Sequence, residues 1–497
     1  MVPVLKKIVV LFFTFFFLSQ FQIQARVVKG KVKCGGAAVS GVAVSDGVNV
    51  VKTDVNGHYS INVADDSRFV FISTPAGYES PVSDGTCVFY KSLEDGVSRY
   101  DFSLSRKEKD DSVHQIIAIA DPQVYDRSEF PQLEQAVSDI RSCVESSGIS
   151  CSAGICCGDI TSFDHGLYGE INSILSESGL TFRYALGNHD MKVWGRSFES
   201  SLKEFEKVYG PPYYSFNIGK VHYVVLNDNF FIGRDYFYIG YLDEKQLCWL
   251  EKDLSYVCKG STVMVAMHIP TTLSPEDRER FSYGDISTTL TNKKALYDIL
   301  KPYKAHILSG HMHTSANQVI SDSLYEHNIA ALSGAWWCGD ICLDGTPAGY
   351  KVFTVDGSDV SWRYKAVGMG ADEVMSVYCS DSGDVLVNVW DWDEDWKVSY
   401  SEGEMVIEGA VSGFAGKDPE AVRLYSDPAK LKHKWISPGL CRHLFVLPAG
   451  KRTCDGVLTV TDRFGNTYRK EIVFKKEIVF KKEIVFKKEI VLDNGEN

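Results

Sequence analysis

Several apolar runs in this 497-residue sequence end abruptly in side chains that bind cations. "IIAIADPQ" delivers Asp121 and Gln123, "GICCGDI" delivers Asp159, and "FRYALGNHD" delivers Asn188, His189 and Asp190. "STVMVAMHIP" ends in His268, and "AHILSGHMHT" in His311 and His313. Each signal is weak alone, since a lone His after a strand is usually a packing residue and a Gly-Asp pair is usually a turn. Together they converge, because ligand sites in open α/β sheets gather beyond the carboxyl ends of the strands. Mixed oxygen and imidazole donors suit two borderline or hard divalent ions (Mn, Fe or Zn) rather than Ca or copper. A carboxylate shared by two ions ~3.5–4 Å apart is the usual arrangement for displacement at phosphorus.

Such strand ends need helices to bury the strands. "FPQLEQAVSDIRSCV" places Leu133, Val137, Ile140 and Val144 on one helical face, and "DEKQLCWLEKDL" does the same with Leu247, Leu250 and Leu254. Strands and helices alternate in this way over residues 112–365, which predicts a layered α/β domain. Residues 26–105 are short β-type runs between turn signals such as Asp54 and Asn56-Gly57, and read as an all-β sandwich. The charged stretch from 105 to 111 reads as a linker. From 366 to 492 the helical signal fades into a second β-sandwich, whose tail repeats "EIVFKK"; one copy would complete an edge strand, and the frequent lysines blunt pairing with other chains.

At the N-terminus, Lys6 and Lys7 precede an apolar run from Ile8 to Leu18 and a polar stretch with Ala25 as a cleavage residue. The run is far shorter than the ~20 residues a spanning helix needs, so residues 1–25 read as a secretory signal peptide. The expectation is a periplasmic or secreted protein with no transmembrane segment in the mature chain. A formal charge of −13 argues against a nucleic-acid-binding surface but leaves a locally positive metal cleft open. Thirteen cysteines is an odd count, so at least one thiol is free or pairs with another chain; Cys338 with Cys342, and Cys441 with Cys454, are near enough in sequence for local bridges. Oligomeric state is not legible in the sequence.

The order "DPQ", "GD", "GNHD", "H", "GHMH" resembles the calcineurin-like metallophosphoesterases, whose pattern is D-x-H, G-D, G-N-H-D/E, H and G-H-x-H. The flanking "SGAWWCGDICLDGTPAGY" is similar to a bacterial exported subgroup with a β-sandwich on each side, the first of them prealbumin-like. The implied fold is an α/β metallophosphoesterase core, β-sandwich sheets flanked by helices, with an all-β sandwich domain on each side. The resemblance implies that Asp159 bridges two ions, with Asp121, Gln123 and His313 on the first and Asn188, His268 and His311 on the second. It implies hydrolysis of a phosphate diester or monoester by a metal-bridging hydroxide, with His189 protonating the leaving group.

Asp190 or Asp164 would hold His189 protonated, the alternative for Asp190 being a turn cap. Trp336 and Trp337 either wall a site for a sugar, base or lipid headgroup or pack their loop. Gln123 departs from the family's His, which reads as a tuned first metal position. Two other readings compete: a protein phosphatase, against which stands the absence of an Arg after "GD", and a β-sandwich binding protein with a structural metal site, against which stands His189.

Overall fold

The run Ile116–Ala120 is buried on both faces: Ile116, Ala118 and Ala120 join one core, and Ile117 and Ile119 another. Period-two alternation between two apolar environments marks a strand covered on both sides. The computed structural model describes residues 26–233, 237–275 and 286–474. The expected signal peptide and the EIVFKK copies beyond Phe474 lie outside these residues.

The strand Val113–Ile119 sits inside a seven-stranded sheet. Parallel neighbours Ser152–Cys156 and Phe182–Tyr184 lie on one side, and Gly349–Asp356 and Asp359–Ala366 continue antiparallel on the other. A six-stranded sheet carries Val221–Val225, Thr262–Ala266, Lys304–Ser309 and Leu324–Asn328 in parallel, edged by Tyr214–Ile218 and Ala316–Ser321. Inward side chains of both sheets share one core, Ile155 and Phe353 meeting residues such as Val265 and Ile307. Helix Phe130–Ser146 covers the outer face of the first sheet with Leu133, Ala136, Val137 and Ile140; Val144 is only partly buried. Helix Glu244–Leu254 sends Leu247, Leu250 and Leu254 into the shared core.

Two β-sheets occupy residues 26–106, and the period-two burial of His58–Val63 shows the half-buried strand the sequence implies. The sandwich is not a separate bead. Its two-residue strand Thr86–Cys87 pairs with Phe182–Tyr184 and so extends the central sheet. Ser45 Oγ accepts from Trp249 Nε1 at 3.1 Å, and Gly47 O from the Tyr213 hydroxyl at 2.7 Å.

Residues beyond 374 form two four-stranded antiparallel sheets around Val385, Val387, Leu447, Leu458 and Val460. A helix, Pro419–Tyr425, interrupts this all-β region: Asp418 caps it with Pro at its first turn, a start signal that the β-rich composition masks. Lys351, 2% exposed, fastens this part to the core. Its Nζ lies 2.7 Å from Asp391 Oδ1 and donates to Asn317 Oδ1 at 2.6 Å. All 13 cysteines are free, so the 338–342 and 441–454 bridges that the spacing left open do not form. Cys342 is buried against Ala331 O and Cys441 beside His443, while Cys454 is exposed. Among the described residues, no helix is long and apolar enough to cross a membrane.

Candidate metal centre

Asp159 lies at the centre of the strand-end side chains. Its Oδ2 is 3.3 Å from His268 Nε2, 3.2 Å from Gln123 Nε2 and 4.0 Å from His189 Nε2. On one side, His313 Nε2 faces Gln123 Oε1 at 2.6 Å and Asp121 Oδ1 at 3.9 Å. On the other, His268 Nε2 faces Asn188 Oδ1 at 3.0 Å and His311 Nδ1 at 3.1 Å. All seven side chains expected as ligands therefore meet, in two groups that share Asp159.

Backbone carbonyls decide which nitrogen each imidazole turns inward. His313 Nδ1 donates to Gly334 O at 2.7 Å, His268 Nδ1 to Cys157 O at 2.9 Å, and His311 Nε2 to Ser287 O at 2.9 Å. A neutral imidazole carries one N–H, so these bonds leave three lone pairs pointing inward, as at metal-ligating histidines. They face oxygens that also accept, or one another. Acceptors packed against acceptors at these distances repel unless a proton or a cation lies between them, and the oxygen and imidazole donors fit two divalent ions.

Titration behaviour follows the same crowding. Burial pushes Asp121 up to about 8, and burial pushes His311 and His313 down to about 3 and about 4. At His268 the lowering effect of burial is outweighed by Asp159, which raises it to about 10, so that without a cation its Nε2 holds a proton toward Asp159 Oδ2 that a bound ion would replace. Burial raises Asp159 too, but the His268 charge leads the effects that hold it well below the usual carboxylate range.

The backbone is strained to build this convergence. Asp121 (φ 49°), Gln123 (φ 37°), Asp159 (φ 52°), His311 (φ 75°) and His313 (φ 51°) all occupy the left-handed region. Non-glycine residues there cost roughly 1–3 kcal/mol each and persist where the surroundings fix them, commonly at functional sites. Two motif glycines have a steric reason. A Cβ on Gly187 would stand 2.1 Å from Asp159 N, and one on Gly310 would stand 2.6 Å from Asp121 Oδ2.

Comparison with known proteins bears on the family. One family model, described as the N terminal of calcineurin-like phosphoesterase, matches residues 26–107; another, the C terminal of calcineurin-like phosphoesterase, matches residues 326–468. These two matches, at either end of the chain, support a calcineurin-like metallophosphoesterase family. Over 182 residues it is 28% identical to the serine/threonine-protein phosphatase CPPED1 of Homo sapiens, covering 36% of this chain and 53% of that protein. The Pongo abelii counterpart is 27% identical over the same length and the same shares of each chain. The chain thus spans about half the length of these curated relatives. A solved dimetal phosphatase from Danio rerio is similar at 14% identity and a TM-score of 0.36, covering 51% of this chain and 96% of that one.

His189 stands beside Asp159, its amide donating to Asp159 Oδ1 at 2.8 Å and its ring against Phe163 at 4.1 Å. Burial lowers its pKa, and Nδ1 is buried with no hydrogen-bond partner. The two carboxylates expected to support it are employed elsewhere. Asp190 accepts from Gly187 N at 2.9 Å, Ile160 N at 3.2 Å and the Tyr168 hydroxyl at 3.0 Å, the turn-capping alternative. Asp164 is exposed and caps a 3-10 turn through Gly166 N. Asp159 is the carboxylate paired with His189, because the short "NHD" turn folds Asp190 back onto its own Gly187.

The tryptophans divide. Trp337 donates from Nε1 to Pro122 O at 2.8 Å and packs against the core, so it fixes the Asp121 loop. Trp336 stacks on the His313 ring at 3.9 Å. Sequence reasoning missed Asp228, fully buried, which accepts from His268 N at 3.2 Å and Ile269 N at 2.8 Å and so positions a ligand. The signal was present: "YVVLNDNF" is another apolar run ending in polar residues. It also missed His165, whose Nε2 meets His189 O at 3.1 Å.

Proposed function

We propose that this chain is an exported two-metal phosphoesterase that hydrolyses small phosphate esters. Its support is the inward convergence of the His268, His311 and His313 ring nitrogens with the oxygens of Asp159, Asn188 and Gln123. Asp121, Gln123 and His313 would hold one ion, Asn188, His268 and His311 the other, and Asp159 both. Mn, Fe and Zn suit these donors. When bound, such ions neutralise phosphoryl oxygens and lower the pKa of water. The chain's own part is orientation and proton delivery: His189 Nε2, 4.0 Å from Asp159 Oδ2, is the imidazole placed to protonate a departing alkoxide, with the Asp159 charge opposing the lowering effect of burial on its pKa.

Export is supported by Lys6-Lys7, the short apolar run to Leu18 and Ala25. A second reading, a protein phosphatase, is favoured by the similarity to CPPED1. Turnover of a panel of mono- and diesters beside a phosphoserine peptide, by the metal-loaded full chain, separates the two. Turnover of small esters with an inert peptide supports the first reading, peptide turnover alone supports the second, and inactivity on everything removes both.

A further inference from the structure

Outside the metal centre, one exposed ring in contact with its walls comes from the C-terminal region. Trp435, 61% exposed, meets Trp336 edge-on at 6.4 Å, and Trp336 stacks on the His313 imidazole at 3.9 Å. One face of Trp435 is covered by His433 at 4.5 Å, and His433 in turn lies 5.3 Å from Tyr125, two residues beyond Gln123.

This segment is anchored rather than loose. Lys432 Nζ donates to Glu129 Oε1 at 2.6 Å and reaches Asp126 at 3.3 Å, on the loop that follows Tyr125. Ile436 is buried in a cluster with Ala335, next to Trp336. Despite these contacts the Trp435 indole and the Tyr125 phenol stay 61% and 47% exposed beside the converging ligand side chains.

We infer that Trp435, supported by His433 and Tyr125, is a stacking platform for a flat-faced ring on the ester's organic group. A nucleobase or a pyranose offers that chemistry, since each presents an apolar face to an indole. The inference rests on the phosphoesterase reading for the position of the phosphate, and it deepens that reading by naming the substrate class.

The test compares the Mn-loaded full chain as wild type, Trp435→Ala and Trp435→Phe. Substrates are a nucleoside monophosphate, a hexose phosphate and ring-free glycerol phosphate. Trp435→Ala should raise KM about three- to tenfold for one ring-bearing substrate, the size expected for a lost aromatic stack. It should leave kcat and the glycerol phosphate values unchanged, and Trp435→Phe should restore most of the loss. Which ring responds tells base from sugar. An equal loss on glycerol phosphate, or no change in KM on either ring, overturns the platform.

Calorimetric binding of the same phosphates to the full chain without added metal separates the two ideas. If wild type turns over nothing, the phosphoesterase reading fails and calorimetry decides the platform. Tighter binding of a ring-bearing phosphate than of glycerol phosphate, lost in Trp435→Ala and kept in Trp435→Phe, supports it. Identical binding by all three proteins overturns it.

Discussion

His313 Nε2 stands 2.6 Å from Gln123 Oε1 while its Nδ1 already donates to Gly334 O, so an imidazole lone pair faces an amide oxygen. A cation relieves that opposition, but through a neutral oxygen where the related motif has an imidazole. The ion beside Gln123 should accordingly be the weaker of the two and prefer harder metals such as Mn. Gln123→His should tighten it and shift it toward Zn or Fe, and Gln123→Ala should weaken it by roughly 10–100-fold, the size seen even for groups that only support ligands. Metal titration of the three proteins checks this; identical affinity and selectivity would remove Gln123 from the ligands.

His189→Ala should keep both ions and lose turnover, because its ring nitrogen lies 4.0 Å from Asp159 Oδ2 and in neither ligand group. General acid catalysis is typically worth ~10²–10⁴-fold. The loss should approach that for alkyl leaving groups and shrink for nitrophenolate, which departs without a proton. Equal losses on both substrate types would contradict the assignment.

Asp164 and Asp190 should behave differently from each other. Asp164→Ala removes an exposed cap and should cost less than about 1 kcal/mol of stability, with kcat/KM unchanged. Asp190→Ala strands the buried amides of Gly187 and Ile160 and should cost roughly 2–4 kcal/mol. Chemical denaturation of both variants measures the difference.

Glu326 supplies a pH signature away from the metal centre. Burial raises its pKa to about 7 from an ordinary 4.5, against the bonds it accepts from Thr271. Between those values the folded chain binds more protons than the unfolded one. Stability should therefore fall as pH rises from about 4.5 to about 7 and level off above, by roughly 2–3 kcal/mol from this group. Other buried carboxylates contribute to the total, so the readout is the difference between wild type and Glu326→Gln, whose profile should be flatter across that window. Parallel profiles would contradict it.

The side chains that converge were legible because each stands where an apolar run stops, which places it at the carboxyl end of its strand. The roles of neighbours were not. Asp190 looked available to His189 in "GNHD", but a three-residue turn sends its carboxylate back to the Gly187 amide. Thr86–Cys87 is too short to announce a strand, yet it extends the central sheet. Nothing local in "KHKWIS" marks Trp435 as a neighbour of Trp336, since only the docking of the C-terminal sheets brings them together. The left-handed backbone at five of the converging residues is likewise invisible in sequence, because those residue types do not demand it.

The account turns on two cations sharing one carboxylate. Elemental analysis with calorimetric titration of the full-length chain and of Asp159→Ala tests it most directly. Wild type should bind two divalent ions per chain, and Asp159→Ala should hold at most one, more weakly, because both groups lose their common oxygen donor. A wild-type protein that binds fewer than two ions, or an Asp159→Ala protein that binds two with undiminished affinity, would contradict the central claim.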